Sequence, residues 1–191
     1  WDGNIVWKFN EYEYIEDPGE EAQWMARVHH DYQREGNPVG YYVPGMEPME
    51  KGNTMILGHK NLFCSKICDK NLLDDTIYEV DWDGNILWEW VCSEHFDSYG
   101  FREDAKNALF RDPNMRPCGG VMGDWMHINS MSIIGPNKWY DKGDTRFHPD
   151  NIIVDGRETN IIFIISKETG EVVWKVGPYY DHTPEKDLEW I

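Results

Sequence analysis

A short hairpin pattern that recurs along the chain constrains its fold more than any other feature. Each copy has an Asp-Gly or Thr-Gly pair, then one polar residue, two apolar residues and a tryptophan. Such a pair fits a tight β-turn because glycine accepts the positive φ that the turn requires. The copies span 1–9, 81–90 and 166–176, and their tryptophans, Trp7, Trp88 and Trp174, are expected to fill neighbouring layers of the core.

A second layer of repetition precedes the hairpins. An apolar strand ends in glycine followed by His59 in one copy and by Arg157 in the other, and histidines lie 30 residues upstream, at His29 and His127. Equivalent positions in radially repeated blades converge on one axis. The sequence therefore predicts an all-β fold, a β-propeller, in which His29 or His30, together with His59, His127 and Arg157, approaches one channel mouth.

The spacing of the hairpins indicates that the repeat units are enlarged. They are roughly 80–90 residues apart, whereas a four-stranded blade takes about 40–50, so the units are either blade pairs or long blades with insertions. Insertions at about 61–76 and 93–123 are interpreted as loops on one face, the second with a short helix at 103–110. The whole of 1–191 is interpreted as one partial propeller domain, about two long units plus the last hairpin of a preceding one.

Composition excludes several classes of function. The formal net charge of −17 and the lack of a Lys/Arg-rich stripe argue against nucleic-acid binding. No apolar run approaches the roughly 18 residues of a membrane-spanning helix, so no membrane insertion is expected. No cofactor is expected either, and a homo-oligomer is compatible with the sequence.

The four cysteines leave their state open. Cys64 and Cys68 form a C-x3-C pair, with Cys92 and Cys118 further along. No second paired motif follows at the distance typical of zinc fingers, so a zinc site of this kind is not expected. Two disulfides in an exported protein and free buried thiols are both compatible with the sequence.

The segment 124–130, Asp-Trp-Met-His-Ile-Asn-Ser, carries the most chemical information. Alternate residues of a strand face the same side, so His127 and Asn129 project together while Met126 and Ile128 face the core. A polar pair opposite an apolar pair fits a strand that lines a wet channel. The alternative is a His–Asn hydrogen bond at the edge of a blade.

The His-His-Asp sequence at 29–31 is a second candidate. Either His29 shares one face with Asp31, or His30 points into the site and Asp31 orients it. A carboxylate beside an imidazole fixes its tautomer and raises its basicity. A metal site would need a third ligand, and none is apparent, so no metal is expected.

Arg157 is the third candidate, because a guanidinium offers a rigid pair of donors suited to sulfate or phosphate oxygens. The alternative is an ion pair with Asp155 or Glu158. His59 occupies the equivalent place in the earlier copy and is a weaker candidate for substrate binding, the alternative being a histidine in a solvent-facing turn. Three further histidines are interpreted as surface residues: His95, His148 and His182.

These motifs together resemble a known family. The segment 124–130, the later Gly-Arg pair and the Thr-Gly hairpin at 169–177 are similar to the bacterial aryl-sulfate sulfotransferases that do not use PAPS. The resemblance implies a six-bladed propeller in the periplasm or outside the cell. It also implies a ping-pong transfer of a sulfuryl group from a phenolic sulfate ester to a phenol, through a sulfohistidine.

The resemblance also assigns roles to residues. His127, Asn129 and Arg157 fall on positions that bind and polarise the sulfuryl oxygens, and either His29 or His30 falls on the upstream active-site histidine. The family's nucleophile lies in a later histidine motif that His182 does not match. The nucleophile is therefore expected downstream of this segment, and the segment by itself is expected to be inactive.

Two other hypotheses compete with the sulfotransferase. A quinoprotein-like propeller dehydrogenase also has a Thr-Gly hairpin with a tryptophan, but the sequence has no cluster of Ca²⁺-binding carboxylates and no vicinal cysteines. A non-catalytic propeller used for binding or assembly would make His127 and Arg157 dispensable.

Overall fold

Short antiparallel strands form most of the chain. The computed structural model describes residues 2–16, 21–36, 49–113 and 123–177. The strands are β1 (Tyr12–Ile15), β2 (Gln23–Ala26), β3 (Val28–Arg34), β4 (Thr54–Phe63), β5 (Asn71–Val80), β6 (Ile86–Val91), β7 (Ile128–Ile133), β8 (Ile152–Gly156), β9 (Ile161–Ile165) and β10 (Val172–Val176). The helices are α1 (Phe96–Tyr99), α2 (Glu103–Arg111) and α3 (Lys138–Asp141), with 3-10 turns at Cys92–His95 and Thr145–Phe147.

The strands form two sheets of the kind that make propeller blades. One has the order β3-β4-β5-β6 and the other β7-β8-β9-β10, and β1 pairs separately with β2. The inner strands β3 and β7 lie side by side, where Asp31 Oδ2 accepts a hydrogen bond from the Met131 amide at 3.0 Å and Gln33 Oε1 accepts one from the Ile133 amide at 2.9 Å. The fold is thus all-β and propeller-like, as the sequence predicts.

Each inner strand has a bulge. Val28 pairs with Gly58 and Tyr32 with Ile56, so β3 has two extra residues opposite β4. The pairing of β7 with β8 also shifts, between Ile128 and Met131, but by one residue. Extra residues bend a strand and redirect its side chains. His30 lies within the bulge of β3, and His127 lies immediately before Ile128, where the irregular part of β7 begins.

The unequal bulges change which residues are equivalent between the blades. The His59 amide donates to the Arg27 carbonyl at 2.8 Å, and the Arg157 amide donates to the His127 carbonyl at 3.0 Å. Arg27, rather than His29, therefore occupies the place that His127 has in the other blade. The equivalence of His29 and His127, which rests on equal spacing, is wrong because the first blade has one more residue in its bulge and one more in the connection from β3 to β4.

The core lies between the two sheets and takes up part of the expected second insertion. Trp125 is fully buried, with the rings of Phe96 and Tyr99 edge-on to it at 5.9 and 6.1 Å. Leu109 of α2 is buried in the same cluster. The helix expected at 103–110 is present as α2, but the interpretation of this segment as a surface loop is wrong, because its apolar side chains complete the core.

The first insertion is much shorter than expected. β4 continues to Phe63 and β5 begins at Asn71, so most of 61–76 is strand and only 64–70 connects the two. Three cysteines, Cys64, Cys68 and Cys92, are free thiols. Cys118 and His182 lie outside the described residues. None of the helices in the described ranges is long and apolar enough to cross a membrane.

Tryptophans of the hairpins connect successive units. Trp7 Nε1 donates to the Trp82 carbonyl at 2.9 Å, and Trp90 Nε1 donates to the Gly170 carbonyl at 2.8 Å. In the second hairpin Trp90 is buried, whereas Trp88 is only partly buried. Residues 2–11 are not a strand, because no strand in the described part of the chain pairs with them.

Candidate active site

The two inner strands bring one histidine each to a common point. His30 Nε2 lies 3.2 Å from His127 Nε2, and the ring centroids are 5.2 Å apart. Both backbones are left-handed, with φ of 50° at His30 and 52° at His127. Such conformations cost energy for residues other than glycine and persist where the surrounding structure fixes them, often at functional sites. The bulge of β3 at His30 and the left-handed backbone of His127, just before β7, thus place the two imidazoles against each other.

A buried carboxylate orients His127. Asp124 Oδ2 lies 2.5 Å from His127 Nδ1, and the side chains are 5% and 14% exposed. This hydrogen bond raises the pKa of His127 above its ordinary value, although burial and Arg157 oppose the shift. His127 is therefore held in one orientation, with Nε2 directed at His30.

His30 has the opposite tendency. Desolvation and the neighbouring imidazoles of His29 and His127 lower the pKa of His30. Because Asp124 accepts the Nδ1 proton of His127, the Nε2 atom of His127 donates to His30 only when His127 is an imidazolium, and accepts when His127 is neutral. Asp31 does not orient His30, because its carboxylate accepts hydrogen bonds from the amides of Tyr32 and Met131.

His29 belongs to a different cluster. Its ring stacks on that of His59 at 3.7 Å, with an interplanar angle of 18°. Asp75 is completely buried beneath them, with Oδ1 at 3.3 Å from His29 Nε2 and at 3.5 Å from His59 Nε2. His59 therefore lies within β4 over a buried carboxylate, and its interpretation as a solvent-facing turn residue is wrong.

Asp75 also fixes the segment that carries His127. Its Oδ2 accepts a hydrogen bond from the Ile128 amide at 3.2 Å. Burial by itself raises the pKa of the Asp75 carboxyl, but the imidazoles of His29 and His59 outweigh burial and leave that pKa below its ordinary value. Asp75 is thus an anion at neutral pH, held between the two blades.

The preceding residue supports the same segment from the other face of β5. Asp74 Oδ1 accepts a hydrogen bond from Trp125 Nε1 at 2.6 Å, and Oδ2 accepts one from the Ser93 amide at 2.9 Å. Complete burial raises the pKa of Asp74 to about 7, against the effect of these hydrogen bonds. Consecutive carboxylates therefore fix Trp125 and Ile128, on either side of His127.

Arg157 and Asn129 lie at the exposed margin of the site. The Arg157 side chain is 47% exposed and donates to Glu158 Oε1. The ion pair with Glu158, one of the alternatives from the sequence, is therefore present, while Asp155 instead accepts from Ser130. Asn129 is half-buried beside them, on the strand that begins at Ile128.

The arrangement suits an anion with an aromatic group attached. His127 with its raised pKa and Arg157 supply positive charge, and guanidinium and imidazolium groups bind oxyanions well. A groove of about 600 Å³ opens beside His30, with walls that include Trp7, Phe9 and Tyr32. His30 lines this groove and also contacts His127, so it connects the charged end to the aromatic wall, and together these suit an aryl ester of an oxyacid.

The comparison with known proteins agrees with this chemistry. A family model described as arylsulfotransferase (ASST) matches residues 4–187. The chain belongs to the arylsulfotransferase family. No curated protein and no solved structure matches it. At this coarse level, family membership supports aryl sulfotransferase activity with aryl sulfates and phenols as substrates.

The sequence missed two carboxylates of this arylsulfotransferase site. Asp124 stands within the quoted motif, but nothing in the sequence shows that the chain turns back at Met126 and His127 to bring Asp124 onto the imidazole. The expected insertion at 61–76 places Asp75 in a loop, although an Asp-Asp pair flanked by Leu72-Leu73 and Ile77 is a usable signal of a strand. Buried charges in an apolar strand usually have a partner.

Proposed function

We propose that this chain forms the sulfuryl-binding part of a PAPS-independent aryl-sulfate sulfotransferase. The observation that supports this most strongly is that His30, His127 and Arg157 lie close together, on the inner strands of two neighbouring blades and just after β8. His127 is oriented by a buried aspartate and has a raised pKa, which favours the imidazolium that donates to a sulfuryl oxygen. The family resemblance further supports an exported protein, in the periplasm or outside the cell.

The reaction proceeds by two displacements at sulfur. In the first, a histidine nitrogen attacks the sulfur, the S–O bond to the donor breaks, and the phenolate leaves and takes up a proton. In the second, the acceptor's phenolic oxygen attacks, the S–N bond breaks, and the acceptor loses its proton. Splitting one transfer into two steps through a covalent intermediate is the advantage of nucleophilic catalysis. The nucleophile belongs to the later histidine motif of the family.

The chain's own residues then have separate tasks. The imidazolium of His127, the half-buried amide of Asn129 and the guanidinium of Arg157 stabilise negative charge on the sulfuryl oxygens as the S–O bond breaks. His30 shares a hydrogen bond with His127 while the site is empty and faces the sulfuryl group when substrate enters. The aromatic groove beside His30 accepts the aryl ring.

The test is transfer from 4-nitrophenyl sulfate to phenol by the full-length protein without PAPS. His127→Asn suits this assay because asparagine tolerates the left-handed backbone of His127. We expect His127→Asn and Arg157→Ala each to lower kcat/KM by about 100-fold or more. The matched controls are His148→Asn and Arg146→Ala, whose side chains form ion pairs away from the site with Asp150 and Asp144, and these should retain full activity.

The outcomes separate the competing hypotheses. Release of 4-nitrophenol that requires the phenol acceptor, with a sulfuryl group trapped on a histidine peptide when the acceptor is omitted, supports the proposal. Full turnover by His127→Asn or Arg157→Ala overturns the site. Release of 4-nitrophenol at the same rate without an acceptor overturns the transfer reaction, and no release at all favours a binding or assembly role.

A further inference from the structure

We propose that His29, His59 and Asp75 form a binding site for a divalent transition-metal ion, with Zn²⁺ as the ion that best fits the ligands. The three side chains come from the adjacent strands β3, β4 and β5, and each offers one ligand atom, all within 4.8 Å of one another. This site is separate from the His127–Asp124 pair and does not depend on the proposed sulfuryl transfer.

The spacing of the donor atoms matches a zinc site. Asp75 Oδ1 lies 3.3 Å from His29 Nε2 and 3.5 Å from His59 Nε2. Nitrogen and carboxylate ligands lie about 2.0–2.2 Å from zinc, so neighbouring ligand atoms of a tetrahedral site are about 3.3–3.5 Å apart. The atoms are therefore close enough to share an ion, and the stacked rings, 18° from parallel, must rotate so that both nitrogen lone pairs point at it.

Two polar atoms that face the centre of the cluster are left without hydrogen bonds. Asp75 is completely buried, and its Oδ1 forms no hydrogen bond within the described residues; the same holds for His59 Nε2. Burying a carboxylate oxygen or an imidazole nitrogen without a partner is costly. A cation among these atoms would satisfy both, whereas the other oxygen of Asp75 is already held by the Ile128 amide.

The ligand chemistry narrows the choice of ion. Two imidazoles and one carboxylate suit zinc and related first-row ions, while Ca²⁺ and Mg²⁺ prefer oxygen ligands. His29 Nε2 lies 3.2 Å from the Gly58 carbonyl oxygen, so metal binding through this atom requires the tautomer of His29 whose proton is on Nδ1. Three protein ligands leave one coordination position open, an arrangement found in catalytic rather than structural zinc sites.

The experiment measures Zn²⁺ binding directly, by isothermal titration of protein that has been dialysed against a chelator. Co²⁺ then serves as a spectroscopic probe, since tetrahedral Co²⁺ absorbs strongly in the visible. The key variant is His59→Phe, which keeps a ring stacked on His29 but removes the ligand nitrogen. The matched control is His148→Phe, because His148 also lies near an aspartate, Asp150 at 3.9 Å, but on an exposed surface.

We expect one Zn²⁺ per chain, with an affinity that falls by more than about 100-fold in His59→Phe and is unchanged in His148→Phe. Zn²⁺ at about 100 times its Kd should raise the Tm of the wild type by about 5–10 °C, and that of His59→Phe hardly at all. Asp75→Asn gives an independent variant if His59→Phe folds poorly. Stoichiometric binding that is equally tight in the wild type and in a folded ligand variant, or no binding at micromolar Zn²⁺, overturns the site and leaves a His–Asp–His cluster without a metal.

Discussion

The two blades place different chemistry at the same structural position. In the first blade, His59 follows Gly58 and lies within a long hairpin, opposite the buried Asp75. In the second, Arg157 follows Gly156 but the strand ends there, and the chain turns at once toward β9. The same backbone position thus carries a half-buried base over a buried anion in one blade and an exposed cation in the other.

Strand length explains this difference. β4 and β5 each have ten residues, whereas β8 and β9 have five. The longer hairpin continues past the glycine and supplies a cross-strand partner for His59. The shorter hairpin supplies none for Arg157, which pairs with the adjacent Glu158 instead. Extending one hairpin therefore changes a site suited to an anion into one suited to a cation.

Removing the buried carboxylate of Asp75 should produce the largest effect on stability, and it tests the role of this residue in the first blade. Asp75→Ala leaves the Ile128 amide without its acceptor and the imidazoles of His29 and His59 without their carboxylate. We expect a loss of about 3–5 kcal/mol in the free energy of unfolding, measured by urea denaturation in chelator. The exposed Asp150→Ala serves as control and should change it by less than about 0.5 kcal/mol. Similar losses in both variants would contradict the structural role of Asp75.

The glycines before His59 and Arg157 test whether the blades tolerate a side chain equally. A Cβ at Gly156 would meet Met126, Thr159 and Ile161, all buried, whereas at Gly58 only a ring carbon of Tyr78 lies closer than 3.0 Å. We expect Gly156→Ala to cost about 1–3 kcal/mol, because overpacking strains a filled core, and Gly58→Ala to cost less. Urea denaturation of both variants checks the order, and a larger loss for Gly58→Ala would reverse it.

Much of this fold could be predicted because each copy of the repeat is marked by a short pattern of neighbouring residues. The Asp-Gly and Thr-Gly hairpins precede β6 and β10, and the Gly-basic pairs mark where β4 and β8 leave their inner-strand partners. His127 and Arg157 could be placed together because their backbones meet in one antiparallel pair. These features follow from side-chain alternation and turn chemistry, which act over a few residues.

The rest depends on contacts that residue spacing does not encode. Equal spacing suggests that His29 matches His127, but the lengths of the bulges and of the strand connections decide the match, and Arg27 is the equivalent residue. His95 was interpreted as a surface residue, yet its ring stacks on Trp90 at 5.0 Å. The polar residues at 61–76 suggested a loop, although Asp74 and Asp75 are buried by the segment that contains Trp125. Each error concerns a partner from a distant part of the chain.

The smallest expected effect is a change in the pKa of His127, which the second blade contributes to the site, whereas the first blade contributes His30. His127 has an orienting carboxylate, while Asp31 binds backbone amides and leaves His30 without one. Asp124→Asn removes the charge that raises the pKa of His127, so we expect that pKa to fall, as measured by an NMR titration of the imidazole protons. Asp31→Asn is the control and should leave the pKa of His127 in place. The other titratable or charged groups that act on His127 are His30, Arg157 and Asp75, and both variants leave them unchanged.

The same shift fixes the pH dependence of stability. A raised pKa means that the folded protein holds the proton of His127 more tightly than the unfolded chain does, so stability is gained below the ordinary pKa and lost as the pH rises through the folded value. The wild type should therefore exceed Asp124→Asn in unfolding free energy most at low pH within the histidine range, and the excess should shrink above it. An excess that grows with rising pH would mean that Asp124 does not hold a protonated His127, and the two blades would then differ in geometry alone.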